Sequence, residues 1–191
     1  MFCDFHTHNA IPAEQVLQLV SAAELPAERL PGVFFALELH PWKLPQTFTG
    51  LPETFIDQIR RADAIGEVGL DRLKGPSLEV QRQYLRAILQ AAADCGKPVV
   101  FHCVRAFPEL LAEVKPFPQI RKLLHGFQGN EPKRQMLQEA GFLLSSSRAL
   151  LPGGGLETDA AEISIQEIYA RCQAEPYTAE LEDRFCRFLR G

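Results

Sequence analysis

The stretch Phe2-Cys3-Asp4-Phe5-His6-Thr7-His8 opens the chain with a short apolar segment that ends in polar side chains. Side chains alternate between the two faces of a strand, so Asp4, His6 and His8 are predicted to share one face. His6 and His8 would be about 7 Å apart along the backbone, which lets both imidazoles reach one metal ion. Asp4 lies one step deeper and suits a supporting role behind the ligands.

Apolar runs followed by amphipathic stretches repeat along the chain, as in folds built from β-α units around a parallel sheet. Strands are predicted at Phe2–His6, Val33–Leu39, Ala64–Val68, Pro98–His102, Ile120–His125, Phe142–Ser146 and, with a weaker pattern, Gly155–Thr158. Helices are predicted at Ala13–Leu25, Glu53–Arg61, Leu78–Asp94, Ile163–Gln173 and Thr178–Leu189, with one more between Asn130 and Gly141. About seven parallel strands with intervening helices predict an α/β fold, a TIM-type (β/α) barrel that is distorted or partly open.

The composition is that of an ordinary globular protein. A length of 191 residues, with 46% hydrophobic and 23% charged residues, predicts one domain over residues 1–191. The net charge of −4 argues against a broad electrostatic surface for nucleic acid. The longest apolar runs are far shorter than the roughly 20 residues of a membrane helix, so no membrane partner is expected. No stable protein partner is implied either.

The five cysteines indicate a reducing environment. Their number is odd, they form no zinc-ribbon or CxxC spacing, and acid and histidine stand where a secretory segment would be apolar. We therefore expect free thiols and a cytoplasmic location.

The histidines share one kind of position, at or one or two residues beyond the C-terminal end of a predicted strand. All five follow this rule: His6, His8, His40, His102 and His125. Two acids, Glu67 and Asp159, lie in equivalent positions. The C-terminal strand ends of a barrel form the face that carries active sites, so these side chains should converge. A single histidine at a strand end is usually an ordinary hydrogen-bonded residue, whereas the whole set indicates a metal site.

With these residues assembled, the chain resembles the TatD family of metal-dependent hydrolases, the TatD-like DNases, within the amidohydrolase-like barrel group. The matching motifs follow the family's order: Asp4–His8, Leu39-His40-Pro41, Gly66-Glu67-Val68-Gly69-Leu70-Asp71, Gln81, Pro98–His102, Leu124-His125-Gly126-Phe127, Gly129, Gly141-Phe142 and Glu157-Thr158-Asp159. The resemblance covers nearly the whole chain. The DxHxH opening is shared with other hydrolases, while GEVGLD followed by ETD makes the match specific.

The resemblance implies a site for two divalent ions, which could be zinc, manganese or magnesium. The implied ligands are His6, His8 and Asp159 for the first ion, His102 and His125 for the second, and Glu67 as the bridge. Mixed imidazole and carboxylate ligation leans towards zinc or manganese. Two such ions can share a bound water and hold the attacking and leaving oxygens of a phosphodiester. The implied catalytic residues are Asp159, which would accept the proton of that water, and Glu67.

The remaining implied roles concern the substrate and the support of the ligands. His40 and Arg105 are expected to contact substrate, and Asp71, like Asp4, to orient a ligand from behind. Two ions bring more positive charge than Glu67 and Asp159 cancel, so the site should attract an anion although the chain is acidic. The expected substrate is a phosphodiester or another small anion, including single-stranded DNA ends.

The chain also departs from the family pattern. Between His8 and Leu39 the family normally has a helix, a strand and a helix, whereas this segment is shorter, so one family strand is expected to be missing. After Asp159 the usual proline and long loop are replaced by Ala160-Ala161.

Three other functions stay open. One is a small-molecule amidohydrolase or deacylase, although such enzymes often bridge their metals with a modified lysine where this chain has Glu67. Another is a phosphoesterase of the polymerase-and-histidinol-phosphatase type, which needs more imidazoles than five histidines comfortably supply. The third is a catalytically idle metal-binding relative that acts as a binding module.

Overall fold

The strands form a barrel in a computed structural model that describes residues 1–191. They are β1 (Phe2–Thr7), β2 (Val16–Ala22), β3 (Val33–Leu37), β4 (Ala64–Asp71), β5 (Val99–Val104), β6 (Lys122–Leu124), β7 (Phe142–Ser146) and β8 (Gly155–Leu156). Each strand pairs in parallel with the next in sequence order. A parallel bridge between Thr7 and Asp159 joins the end of β8 to β1 and nearly closes the circle. The predicted TIM-type barrel is confirmed.

Six α-helices accompany the strands. They are α1 (Glu53–Ile59), α2 (Leu78–Cys95), α3 (Phe107–Val114), α4 (Glu131–Glu139), α5 (Ile165–Arg171) and α6 (Thr178–Arg190), with short 3₁₀ turns at Pro41–Lys43 and Glu175–Tyr177. The predicted ends of α2 are confirmed: the Ser77 hydroxyl accepts a hydrogen bond from the Val80 amide, and Gly96 ends the helix with a φ of +65°. Helix α3 was not predicted. None of the helices combines the length and the apolar character needed to cross a bilayer.

The prediction was wrong between β1 and β3. The predicted helix Ala13–Leu25 is instead strand β2, so the barrel has eight strands rather than seven and the expected missing strand is present. Strand β2 is buried along almost its whole length because it pairs with a strand on either side. A strand of that kind has a near-continuous apolar run, which periodicity alone does not distinguish from a buried helix. What this segment lacks is a helix on either side of β2.

Two glycines of the GEVGLD motif allow β4 to approach β5 closely. A Cβ atom on Gly69 would lie 2.0 Å from the carbonyl oxygen of His102, and one on Gly66 would lie 2.5 Å from that of Val100. Both glycines also have φ near +145°, a conformation that other residues rarely adopt. This close approach places Glu67, on β4, beside His102, on β5.

The core lies between the strands and the helices outside them. One apolar cluster of 22 buried residues connects β4 to β7 with α1 to α4. A second cluster, of 18 buried residues, includes the contacts of β1 with α5 and α6. Within the second cluster, the rings of Phe5 and Phe185 meet edge to face with centroids 5.2 Å apart. Helices α5 and α6 thereby fix β1, which carries the predicted ligand His6 and is followed directly by His8.

Candidate metal centre

Glu67 lies at the centre of the predicted ligands, with only 3% of its side chain exposed. Its Oε1 atom is 3.1 Å from His6 Nε2 and 2.7 Å from His8 Nε2. Asp159 Oδ1 is 3.6 Å from His6 Nε2 and 3.7 Å from His8 Nε2. The four groups offer ligand atoms that all lie within 4.8 Å of one another. This set is where the sequence predicted the first ion.

The other carboxylate oxygen of Glu67 faces a second group of histidines. Its Oε2 atom is 2.6 Å from His125 Nε2, 3.3 Å from His102 Nδ1 and 3.5 Å from His40 Nε2. Glu67, His40 and His102 form a second set within 4.8 Å of one another. The structure therefore brings all six predicted ligands together and adds His40, with one oxygen of Glu67 facing each group.

The donor atoms of this cluster fit a divalent cation. His6 Nε2 is fully buried and has no aligned hydrogen-bond partner, although it points towards Glu67 and Asp159. An orphaned nitrogen in such a place is costly unless something else satisfies it. Imidazole nitrogens combined with carboxylate oxygens are ligands that zinc and manganese accept.

The carboxylates and imidazoles of the cluster shift one another's pKa values. Burial opposes ionisation of Glu67, but hydrogen bonds from His102, His125 and other histidines hold its pKa far below the usual range. Burial would lower the pKa of His6, yet Asp159 and Glu67 raise it to about 10. The His6 contact in turn lowers the pKa of Asp159. The carboxylates of Glu67 and Asp71 likewise raise the pKa of His102 against the effect of its burial, and a cation bound in the cluster would compete with the protons that these carboxylates favour on His6 and His102.

A comparison with family models assigns the chain to a family. The model of the family described as TatD related DNase matches residues 8–168. The chain belongs to this family. TatD proteins are metal-dependent hydrolases, and this chain has the hydrolase fold of the family together with His, Glu and Asp clusters that are able to bind metal.

Solved structures show the same barrel. The TatD homologue YjjV from Escherichia coli K12 superposes with a TM-score of 0.66 at 22% identity, over 100% of this chain and 91% of that one. A TatD-family hydrolase from Entamoeba histolytica gives 0.58 at 16% identity, over 76% and 64% of the two chains. An uncharacterized amidohydrolase from Saccharomyces cerevisiae gives 0.51 at 19% identity, over 68% and 51%. At these identities the likeness shows the fold alone. No curated protein matches the sequence at a significant level.

Asp71 lies behind His102, on the side of the ring away from Glu67. Its Oδ2 atom is 3.1 Å from His102 Nε2 and accepts a hydrogen bond of 2.6 Å from Trp42 Nε1. The amides of Leu73 and Lys74 donate to Oδ1 at 2.7 and 3.2 Å. Burial opposes ionisation, but the Trp42 hydrogen bond and its neighbours hold the pKa of Asp71 below its usual value. Asp71 thus stays ionised and fixes one ring nitrogen of His102.

Asp4 is buried behind the cluster and connects β1 to the end of β8. It accepts hydrogen bonds from the hydroxyl and the amide of Thr158, at 2.6 and 3.0 Å, and from the His6 amide at 3.4 Å. Burial raises its pKa to about 6. Because these contacts all go to the protein itself, the position agrees with a supporting role.

His40 and Arg105, both predicted to contact substrate, are placed differently. The amide of Trp42 donates a hydrogen bond of 3.2 Å to His40 Nδ1, so in the neutral ring the proton sits on Nε2. Nε2 then faces Glu67 as a donor and has no lone pair for a metal. Arg105 is exposed after β5 with a φ of +54° and makes no hydrogen bond or ion pair with the cluster. The structure brings His40 to the centre but not Arg105.

Two residues at the centre were missed by the sequence analysis. The Ser21 hydroxyl lies 3.4 Å from His6 Nδ1, but it belongs to β2, which was predicted as a helix. Trp42 holds Asp71 from the segment after His40. The signal for Trp42 was available, because the only tryptophan of the chain follows the His40-Pro41 motif directly.

Proposed function

We propose that this TatD-family hydrolase is a two-metal phosphodiesterase that acts as a deoxyribonuclease on single-stranded DNA ends. The observation that supports this most is the bridging position of Glu67, whose two oxygens face separate groups of histidines. A carboxylate shared in this way suits two cations a few ångströms apart, the arrangement used for in-line displacement at phosphorus. His6, His8 and Asp159 would hold one cation, and His102 and His125 the other.

The chain's own residues accept the proton of the attacking water and donate a hydrogen bond to the substrate. When bound, two divalent ions activate a water and neutralise charge that develops on the phosphodiester. Asp159 is 42% exposed at its side chain and ionised, so it can accept the proton of a water at the mouth of the site. The Nε2–H group of His40 can donate a hydrogen bond to the leaving oxygen and stabilise the charge that develops there. Glu67 is buried and contacts histidines of both groups, so it fixes the position of one group of ligands relative to the other.

The size of the site supports a single strand or a small substrate rather than a duplex. The cavity at the cluster has a volume of about 320 Å³, and its lining includes Glu67, Asp159 and four of the five histidines. Such a space accommodates one phosphodiester and its neighbouring groups. The acidic chain then needs only local attraction to the cations, without a wide basic surface.

Metal loading and hydrolysis test this function together. Protein loaded with Mn²⁺, Mg²⁺ or Zn²⁺ should hydrolyse a 3′-labelled oligonucleotide or bis(p-nitrophenyl) phosphate. Asp159→Asn should keep its metal and lose about 10²- to 10⁴-fold in rate, whereas His6→Ala should lose metal. A wild-type protein that binds no metal, or cleaves neither substrate when loaded, would contradict the proposal.

Two of the three alternative functions, the deacylase and the binding module, would give different outcomes in these experiments. Cleavage of N-acylated amino acids with no phosphodiester cleavage would indicate a deacylase, for which no bridging lysine is in place because Glu67 occupies the centre. Metal binding without any turnover, unchanged in Asp159→Asn, would indicate a binding module.

We also propose a reducing, cytoplasmic setting. All five cysteines are unpaired in the structure. Burial raises the pKa of the Cys3 and Cys103 thiols to about 12, which keeps them protonated and unreactive.

A further inference from the structure

Trp42 forms part of the wall of the metal-site cavity and remains 46% exposed. Its ring meets those of His40 and His102 edge to face, with centroids 4.7 and 5.6 Å apart. The hydrogen bond from Nε1 to Asp71 fixes the ring in this position. A rigid aromatic ring thus stands between the candidate metal centre and solvent.

Lys74 places a positive charge on this ring. Its Nζ atom lies 3.9 Å from the centroid of Trp42, a cation–π contact, and its amide donates to the same Asp71 carboxylate. The ammonium group makes no ion pair with any carboxylate. Lys43, the other lysine at this edge, is by contrast 2.7 Å from Glu38 Oε1. Lys74 is therefore held in place while its hydrogen-bond donors stay free.

A larger cavity lies next to the metal centre and, unlike the surroundings of Lys74, offers no positive charge. It has a volume of about 750 Å³, shares His8 with the metal centre, and includes Asp4 and Glu162 among its 17 lining residues. None of those 17 residues is a lysine or an arginine. An anionic group attached to the reacting phosphate would be drawn towards Lys74 and away from this cavity.

We propose that Lys74, held over Trp42, binds a second phosphate of the substrate, one nucleoside away from the phosphodiester that is cleaved. This inference rests on the proposed function and narrows the substrate to a strand end or dinucleotide that carries a terminal phosphate. Lys74 Nζ lies 3.9 Å from the centroid of the Trp42 ring, and that centroid lies 5.6 Å from the centroid of His102, so Lys74 is within one nucleoside's span of the candidate metal centre. Lys74 positions this substrate and takes no part in bond cleavage.

Binding to Mn²⁺-loaded protein tests the inference without turnover. Calorimetry would compare thymidine 3′,5′-bisphosphate with thymidine 5′-monophosphate and thymidine 3′-monophosphate. Wild-type protein should bind the bisphosphate about tenfold more tightly than the better monophosphate, since one charge-assisted contact is added. Lys74→Met should remove that advantage and leave monophosphate binding unchanged, while Lys74→Arg should keep most of it.

Lys133→Met is the matched control. Lys133 Nζ lies 4.9 Å over the ring of Phe107, so this variant removes a similar cation–π contact away from the metal centre. It should bind all three ligands as the wild type does. A wild-type protein without preference for the bisphosphate, or a Lys74→Met variant that retains it or weakens all three ligands equally, would overturn the inference.

Kinetics separate this inference from the proposed function. With a thymidine dinucleotide that carries a terminal phosphate, Lys74→Met should raise KM about tenfold and leave kcat unchanged; without that phosphate it should change neither. If no dinucleotide is cleaved but the bisphosphate preference depends on Lys74, the hydrolytic proposal fails and the Lys74 site stands. If cleavage occurs and Lys74→Met has no selective effect, only the Lys74 site fails.

Discussion

His102 Nε2 lies 3.1 Å from Asp71 Oδ2, and the opposite ring nitrogen, Nδ1, faces Glu67 at 3.3 Å. The carboxylate of Asp71 therefore holds a proton on Nε2 and leaves the Nδ1 lone pair directed into the cluster. A carboxylate behind a histidine acts in this way at many metal sites, because it fixes both the orientation and the protonation of the ligand.

Asp71→Asn should weaken cation binding at the His102 side of the centre. The variant removes the negative charge that holds the ring, so affinity for the Mn²⁺ ion at His102 should fall about 10- to 100-fold. Calorimetric titration of metal-free protein measures it. Asp63→Asn is the control, because Asp63 accepts a hydrogen bond from the Phe35 amide and pairs with Arg29 away from the cluster. Equal affinities in Asp71→Asn and wild type would refute the orienting role.

His40→Asn should separate metal binding from turnover. Its Nδ1 atom accepts the Trp42 amide and its Nε2 atom carries a proton, so the residue is predicted to serve as a donor to substrate. Metal content should stay at the wild-type value while kcat for a phosphodiester falls about 10²- to 10³-fold, the effect of losing one hydrogen-bond donor to the developing charge. Metal content by elemental analysis and initial rates provide the two readouts. Loss of a metal equivalent in His40→Asn would show that the residue is a ligand instead.

The positions of the candidate ligands followed from the sequence because strand geometry constrains them. His6 and His102 lie near the ends of their strands, and His8 and His125 follow β1 and β6 directly. Alternation and the common direction of parallel strands were sufficient to predict that they meet. Glu67 lies in the middle of β4, which is longer than predicted, yet it still points into the cluster.

The predictions that were wrong or missing concern features that depend on tertiary contacts. Strand β2 looks helical in isolation, and only its pairing with β1 and β3 makes it a strand. The contact of Ser21 with His6 followed from that error. The direction of the His40 ring depends on the 3₁₀ turn Pro41–Lys43, because the ring accepts a hydrogen bond from the first amide of that turn. No periodic pattern in the sequence indicates a turn of this kind.

Gly69→Ala should destabilise the protein strongly. The new Cβ atom would lie 2.0 Å from the carbonyl oxygen of His102, and neither backbone can move without disturbing the β4–β5 pairing. We expect a loss of about 3 kcal/mol or more, measured by denaturant unfolding. Gly50→Ala is the control, since its φ of +92° is also positive but nothing lies within 4 Å of the added atom. That variant should lose only about 1–2 kcal/mol, and equal losses would exclude the steric explanation.

Glu113 joins α3 to α2 through two arginines, and its removal should reduce stability in a pH-dependent way. Its buried carboxylate accepts hydrogen bonds from Arg82 Nε at 2.7 Å and from Arg86 Nε at 2.6 Å. Burial would raise the pKa of Glu113, but the two guanidinium groups hold it below the usual value. Glu113 therefore adds fully to the free energy of unfolding above its unfolded-state pKa of about 4.3. This stabilisation is lost as the pH falls through the lower pKa of the folded state. Glu113→Gln should cost about 1–3 kcal/mol near neutral pH in urea unfolding, and the difference from wild type should shrink below about pH 4.

Glu131→Gln, which removes the pair that Glu131 forms with Arg134 at the surface, should show little change at either pH. A Glu113→Gln difference that stays constant down to pH 3 would mean that packing, and not the ion pair, connects the two helices.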